Sequence, residues 1–185
     1  MSGQVKLELY VDPCCPFAWI AYQWLAEVQR HRAVELQLHV MSLAMLNEHQ
    51  SISPGYRRLL AHTWGPARVA AAAVQQHGRV ALAALYEAMA RRIFAGADHY
   101  RVTRQDLESV MVDALFEVGL PARLAKAAAS DDYDGSIRAS HNAAMRRPRT
   151  RRAWRGAARF PGHGTRGRVR ARPCGSGSAA PGNRG

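Results

Sequence analysis

The stretch Leu7-Glu8-Leu9-Tyr10-Val11-Asp12-Pro13-Cys14-Cys15-Pro16-Phe17-Ala18-Trp19 decides the fold. Its first five residues alternate with a period of two, the pattern of a half-buried strand. Asp12-Pro13 breaks that strand. From residue 18 to 32 the period changes: Trp19, Ile20, Trp24, Leu25 and Val28 recur at helical spacing. Pro16 suits the first turn of that helix, where its missing N–H leaves no bond unmade. Residues 34–41 then alternate again, as Val34-Glu35-Leu36-Gln37-Leu38-His39-Val40-Met41. Strand, helix and strand in about 35 residues form a βαβ unit, whose right-handed crossover makes the strands parallel neighbours. The predicted fold class is therefore α/β. Cys14 and Cys15 fall at the carboxyl end of the first strand, where open α/β sheets place their ligands.

That placement gives Cys15 a chemical reading. Thiolate is the reactive form of cysteine, and a helix N-terminus offers the anion unpaired N–H groups and the positive end of the helix dipole. Cys15, at or next to the N-cap, is expected to be stabilised as an anion and to act as a nucleophile. Cys14 precedes it by one residue and points elsewhere. The competing reading is a small buried hydrophobe, a common role for free cysteine.

Outward from this unit, residues 53–145 are helical almost throughout, with no strand signal. Residues 67–77 are rich in alanine, and residues 80–94 carry Leu82, Leu85, Met89 and Ile93 on one face. Thr103 and Asp106 resemble a capping pair opening a helix over 105–118. Gly119-Leu120-Pro121 separates it from a short helix over 122–129, and Ser130-Asp131-Asp132 caps a last helix running to about Met145. Asp98-His99-Tyr100 is a polar link between helices without an assigned role.

At Arg146 the composition changes. The net charge of the chain is +12, yet residues 1–145 hold 14 basic and all 14 acidic residues. The excess lies in residues 146–185, which contain 12 Arg, 8 Gly, 6 Ala and 4 Pro and no acid. Such a segment has too little apolar area to offset its chain entropy, so a disordered tail is expected. A nonspecific, salt-sensitive contact with nucleic acid is the one partner it suggests. Arg, Gly, Ala and Pro have GC-rich codons, and a tail read out of frame would have this composition. The predicted divisions are 1–52, the βαβ unit with its cysteine; 53–145, a helical subdomain; and 146–185, the tail.

Three cysteines, the third being Cys174, argue against a disulfide-stapled secreted fold. No His/Cys spacing suggests a metal site. No apolar run is long enough for a membrane span, and Met1-Ser2-Gly3-Gln4-Val5-Lys6 carries no secretory signal, so a cytoplasmic protein without membrane contact is expected.

The segment Asp12-Pro13-Cys14-Cys15-Pro16-Phe17-Ala18-Trp19 resembles the active-site segment of DsbA-like thioredoxin-fold proteins, Asp-Pro-x-Cys-Pro-x-Cys-Trp. The likeness is closest to the actinobacterial branch of mycothiol-dependent nitroreductases. It extends through 39–48 (His39-Val40-Met41-Ser42-Leu43-Ala44-Met45-Leu46-Asn47-Glu48), Trp64-Gly65-Pro66-Ala67-Arg68-Val69-Ala70 and 129–141, and so covers about residues 5–145. The resemblance implies a thioredoxin-like fold with a helical insertion. It also implies redox work by Cys15 with mycothiol, or a similar small thiol, as co-substrate and no bound cofactor. Pro16, Phe17, Ala18 and Trp19 would surround the site, Asn47 could contact substrate, and Trp64 could cover the pocket over Cys15. Asn47 could equally end a turn, and Trp64 could be a structural aromatic.

Two departures qualify the likeness. The second cysteine of the family's Cys-x-x-Cys falls on Ala18, so an internal disulfide cannot form there. Cys14 is a poor substitute, because bridging adjacent residues strains the ring. The family's remaining strands, with their cis Thr-Pro, have no counterpart in the tail, where Arg147-Pro148, Phe160-Pro161, Arg172-Pro173 and Ala180-Pro181 lack strand context. With two strands, the sheet keeps unpaired edges, and the first helix and both strands lose apolar cover, which predicts marginal stability and aggregation. The functional readings are a thiol-dependent oxidoreductase acting through a Cys15 mixed disulfide, an inactive family member, or a nucleic-acid binder through the tail.

Overall fold

A computed structural model describes residues 5–95 and 104–146. The tail from 147 onward, Asp98-His99-Tyr100 and the Thr103 cap lie outside the described residues. The described residues belong to one compact unit spanning Met1–Arg147.

Strand β1 (Val5–Val11) leads into helix α1 (Pro16–His31), and β2 (Val34–Val40) follows. The strands are parallel, in register from Val5↔Val34 to Val11↔Val40, and form a two-stranded sheet. This is the predicted βαβ unit, with β2 ending one residue early. Seven helical elements complete the described chain: α2 (Leu43–Leu46), α3 (Pro54–His62), α4 (Trp64–His77), α5 (Val80–Ile93), α6 (Arg104–Glu117), a 3-10 helix (Ala122–Ala129) and α7 (Asp134–Arg146). The α/β class is thus a small parallel sheet in a largely helical molecule, consistent with a thioredoxin-like fold carrying a helical insertion. The short helix expected over 122–129 is present as a 3-10 helix. None of the described helices is long and apolar enough to cross a membrane.

The core lies in the helices. Ala67 and Val69–Ala73 of α4 are buried with Leu82, Leu85 and Met89 of α5 and Leu107, Met111, Ala114 and Leu115 of α6. Small residues on α4 let its neighbours come close, and Gly65 shows how tightly. A Cβ there would meet that of Ala128 at 3.4 Å and the Met111 side chain at 3.7 Å. Gly78 and Gly119, with φ of 79° and 69°, end α4 and α6 in a conformation that other residues avoid.

The sheet contributes only Val11, Leu38 and Val40 to the buried set, and α1 contributes nothing. Its Phe17, Ile20 and Trp24 are 58%, 62% and 65% exposed. The loss of cover predicted for this helix is therefore present in the structure.

Candidate functional site

The end of β1 turns sharply before α1. Cys15 N–H donates to the Asp12 carbonyl at 2.9 Å, closing the turn. Cys15 is the N-cap of α1, its backbone extended, with Pro16 opening the helix. Its carbonyl accepts from Trp19 N–H at 3.1 Å. The sequence placed Cys15 at this junction, and the structure puts it there.

The Asp12 side chain holds the turn from below. Its Oδ1 accepts from Cys14 N–H at 2.8 Å, and its Oδ2 accepts from Leu43 N–H at 2.6 Å. One carboxyl group thus ties the cysteine turn to the start of α2, 31 residues onward. Ser42 caps α2 by accepting from Met45 N–H at 3.2 Å. Asp12 is fully buried, and burial raises its pKa to about 6 against the pull of the two N–H donors.

The expected anion at Cys15 needs a correction. The N–H groups of Ala18 and Phe17 favour the thiolate, as a helix N-terminus should. Burial outweighs them, and the neighbouring Asp12 charge adds to it, so the thiol is pushed up from its ordinary value, not down. Cys14 is pushed up more strongly, by burial, by Asp12 and by Cys15. Both cysteines are free and half-buried. Of the two, Cys15 alone has the helix N–H groups working for its anion.

The neighbours of Cys15 divide along α1. Phe17 points outward, whereas Ala18 and Trp19 pack against the core. Trp19 stacks on Tyr22, with ring centroids 5.7 Å apart. Both meet Tyr86 of α5 edge-on, at 6.2 Å and 5.3 Å. Tyr22 Oη donates to Glu87 at 2.9 Å, which completes the junction between α1 and α5.

Asn47 caps the end of α2, where its Nδ2 donates to the Leu43 carbonyl at 2.8 Å. It therefore belongs to the short helix that Asp12 tethers to the cysteine turn. Trp64 opens α4 and carries the Arg68 guanidinium over its ring at 5.5 Å. Arg68 in turn grips Asp134 of α7 through two bonds of 2.7 and 2.8 Å.

Two residues escaped the sequence reading. Asp12 reads as a strand breaker, although Asp before Pro in a turn is also a signal for side-chain-to-backbone bonding. Tyr86 is hidden in an ordinary apolar helical pattern; nothing in the sequence marks its hydroxyl. Two clefts of about 330 Å³ are not lined by Cys15: one runs along Met45, Leu46, His141 and Met145, the other along Gln76, Leu124 and Tyr133. Among the described residues no three His, Cys, Asp or Glu side chains gather to hold a metal. A family model described as "Rv2466c-like: Mycothiol-dependent nitroreductase Rv2466c" matches residues 14–150, which include Cys14, Cys15 and every element from α1 to α7 but neither Asp12 nor β1.

Proposed function

The chain belongs to the Rv2466c-like family of mycothiol-dependent nitroreductases, and from that premise we propose that it is a monothiol oxidoreductase of DsbA-like ancestry, with Cys15 as its nucleophile and mycothiol as its reducing partner. The observation that carries this reading is Cys15 at the N-cap of α1, with the Phe17 and Ala18 N–H groups favouring its anion. Three residues on, where a resolving thiol would stand, the chain has Ala18.

The chemistry then runs in two steps. The Cys15 thiolate attacks one sulfur of a disulfide substrate; the S–S bond breaks, its other sulfur leaves as a thiolate, and a mixed disulfide forms at Cys15. A mycothiol thiolate attacks the outer sulfur of that bond and regenerates Cys15 as a thiolate. Cys14 is given no part, because burial raises its thiol more strongly than that of Cys15 and no helix N–H offsets it. Asn47 and Trp64 enter as shape: one ends the helix tethered to the cysteine turn, the other braces α4 against α7 through Arg68.

Incubating the protein with mycothiol disulfide and weighing it intact is the test. One mycothiol adduct is expected in the parent and in Cys14→Ala, and none in Cys15→Ala. An adduct that survives in Cys15→Ala overturns the assignment. The inactive-member reading is favoured by the upward shift of the Cys15 thiol and by the uncovered face of α1. It predicts no adduct in any of the three proteins.

A further inference from the structure

The two strands of the sheet differ in what lies beside them. β2 packs against α4, α5 and α7 as well as α1, whereas β1 packs against β2 and α1. Val5 N–H donates to the Ala33 carbonyl at 3.1 Å, and the Val11 carbonyl accepts from Met41 N–H at 2.9 Å. The odd-numbered residues of β1 therefore turn their main-chain groups to β2, and Lys6 and Glu8 turn theirs to the outer edge. Among the described residues no strand pairs with that edge. The side of α1 nearest to it is apolar. Trp19 and Tyr22 turn to α5, on the β2 side. Ile20 and Trp24, with Phe17, form a stripe on the opposite side of the helix, each more than half exposed.

We propose that a second copy of this chain covers this surface, its β1 lying antiparallel to the first along the outer edge, about a two-fold axis at Leu7. The strand's own sequence selects that register. It sets Lys6 against Glu8 of the second copy, and Glu8 against Lys6, while Val5 meets Leu9 and Leu7 meets itself. Moving the axis one residue either way, to Lys6 or to Glu8, sets that charge against its own like. Within each copy Lys6 and Glu8 keep their neighbours Glu35 and His39, at 3.6 and 3.5 Å. Alternation then matches on both faces. Val5, Leu7 and Leu9 meet on the face that Leu38 and Val40 carry into the core, and the charged pairs meet on the other.

Helix spacing agrees with the same arrangement. α1 packs over both strands, so the two α1 helices stand two strand spacings apart, about 10 Å, the distance at which helices pack. Leu7 lies four residues before the end of β1, or about 13 Å. α1 covers that distance in about nine residues from its start, which brings Trp24 of both copies to the axis. The two Cys15 residues fall at opposite ends of the joint. A short strand joint and one apolar stripe from each copy stand at the low end of interface sizes, so the dilute chain is monomeric and association rises with concentration.

Sedimentation velocity of the full chain over a concentration series is the test, with dimer expected at its upper end. Lys6→Glu alone and Glu8→Lys alone should each raise the dimer dissociation constant about tenfold, because like charges then meet twice. Mixing the two variants should restore association, since each copy offers the charge the other lacks. Oxidative cross-linking in a Cys14→Ser, Cys15→Ser, Cys174→Ser background reads the register. Leu7→Cys should form a disulfide between copies, because facing residues of a non-hydrogen-bonded pair lie about 4.5 Å apart at Cα. Lys6→Cys should not. A chain that stays monomeric throughout, its edge met by solvent or by its own tail, overturns the proposal. So does a dimer that ignores both charge reversals, or one that cross-links through Lys6→Cys and not through Leu7→Cys. If the charge variants do not fold, the Leu7→Cys cross-link decides alone. An inert Cys15 would remove the proposed function and leave this surface untouched.

Discussion

Helices α5 and α1 are both rich in apolar side chains, yet α5 buries seven residues and α1 none. In α5, Leu82, Leu85, Met89 and Ile93 face a core closed by α4 and α6. In α1, Phe17, Ile20 and Trp24 face outward from a sheet of two strands. The helix that carries the candidate thiol is therefore fixed by a few contacts. These are its packing on β1 and β2, the turn held by Asp12, the Trp19, Tyr22 and Tyr86 rings, and the Tyr22–Glu87 bond. The helical half of the molecule supplies cohesion, and the thiol is held by the sheet under α1, by the Asp12 tether to α2 and by the ring contacts with α5.

The largest effect should come from the well-packed side. Leu85 is fully buried, so Leu85→Ala removes apolar burial and leaves a cavity, at a cost of about 3 kcal/mol. Urea unfolding would measure it. A loss below about 1 kcal/mol would mean that the α4–α5–α6 core is looser than the structure shows, and the contrast with α1 would lapse.

Asp12 tests the tether between the halves. Its folded pKa of about 6 lies above the ordinary carboxyl value of 3.8, so the native state binds its proton more tightly than the unfolded chain does. The stabilising contribution is complete below about 4 and is lost as pH rises through about 6, amounting to roughly 3 kcal/mol at most. Unfolding free energy followed from pH 4 to 7 should decline by part of this in the parent, and the decline should vanish in Asp12→Asn. Because a charged Asp12 also disfavours the Cys15 anion, the same variant should alkylate faster at neutral pH. A variant that retains the decline would place its origin in another group.

What the sequence revealed of this arrangement follows from the range of the forces involved. β1, α1 and β2 were legible because alternation, a Cys-Pro junction and helical spacing are local. So was the want of cover on α1, once only two strands could be read. The sign of the Cys15 shift was not legible: the helix N–H groups act locally, but the burial that overrides them is tertiary. Asp12 could be seen as a turn residue, whereas its second partner, Leu43, is set by the fold. Tyr86 could be placed in an apolar helix, but an unpartnered hydroxyl is visible only in coordinates. For Asn47, the alternative that it ends a turn describes the bond it makes to Leu43.

A smaller effect should come from the brace between α4 and α7. Arg68 bonds Asp134 in parallel, reaches the Ala128 carbonyl at 3.3 Å and stacks on Trp64. Arg68→Met keeps most of the stem and removes the fork, leaving the Asp134 carboxylate without its partner. A loss of about 1–2 kcal/mol is expected, with the alkylation profile of Cys15 unmoved. A shifted profile would show that the brace reaches the cysteine turn, contrary to a site held by the sheet, the Asp12 tether and the α1–α5 rings.

The smallest effect on stability should lie on α1 itself, and it separates two meanings of exposure. Ile20 and Trp24 are more than half exposed, so replacing both with Ser removes little burial. The unfolding free energy should change by less than about 0.5 kcal/mol per site. Self-association should change far more, since exposed large side chains on a helix beside a sheet that has two strands among the described residues invite contact between copies. Light scattering across a concentration series would then fall in the double variant while urea unfolding stayed in place. If the double variant instead lost stability on the scale of Leu85→Ala, the face of α1 would be covered in solution. The difference between the two helices would then belong to the isolated chain, not to the protein at working concentration.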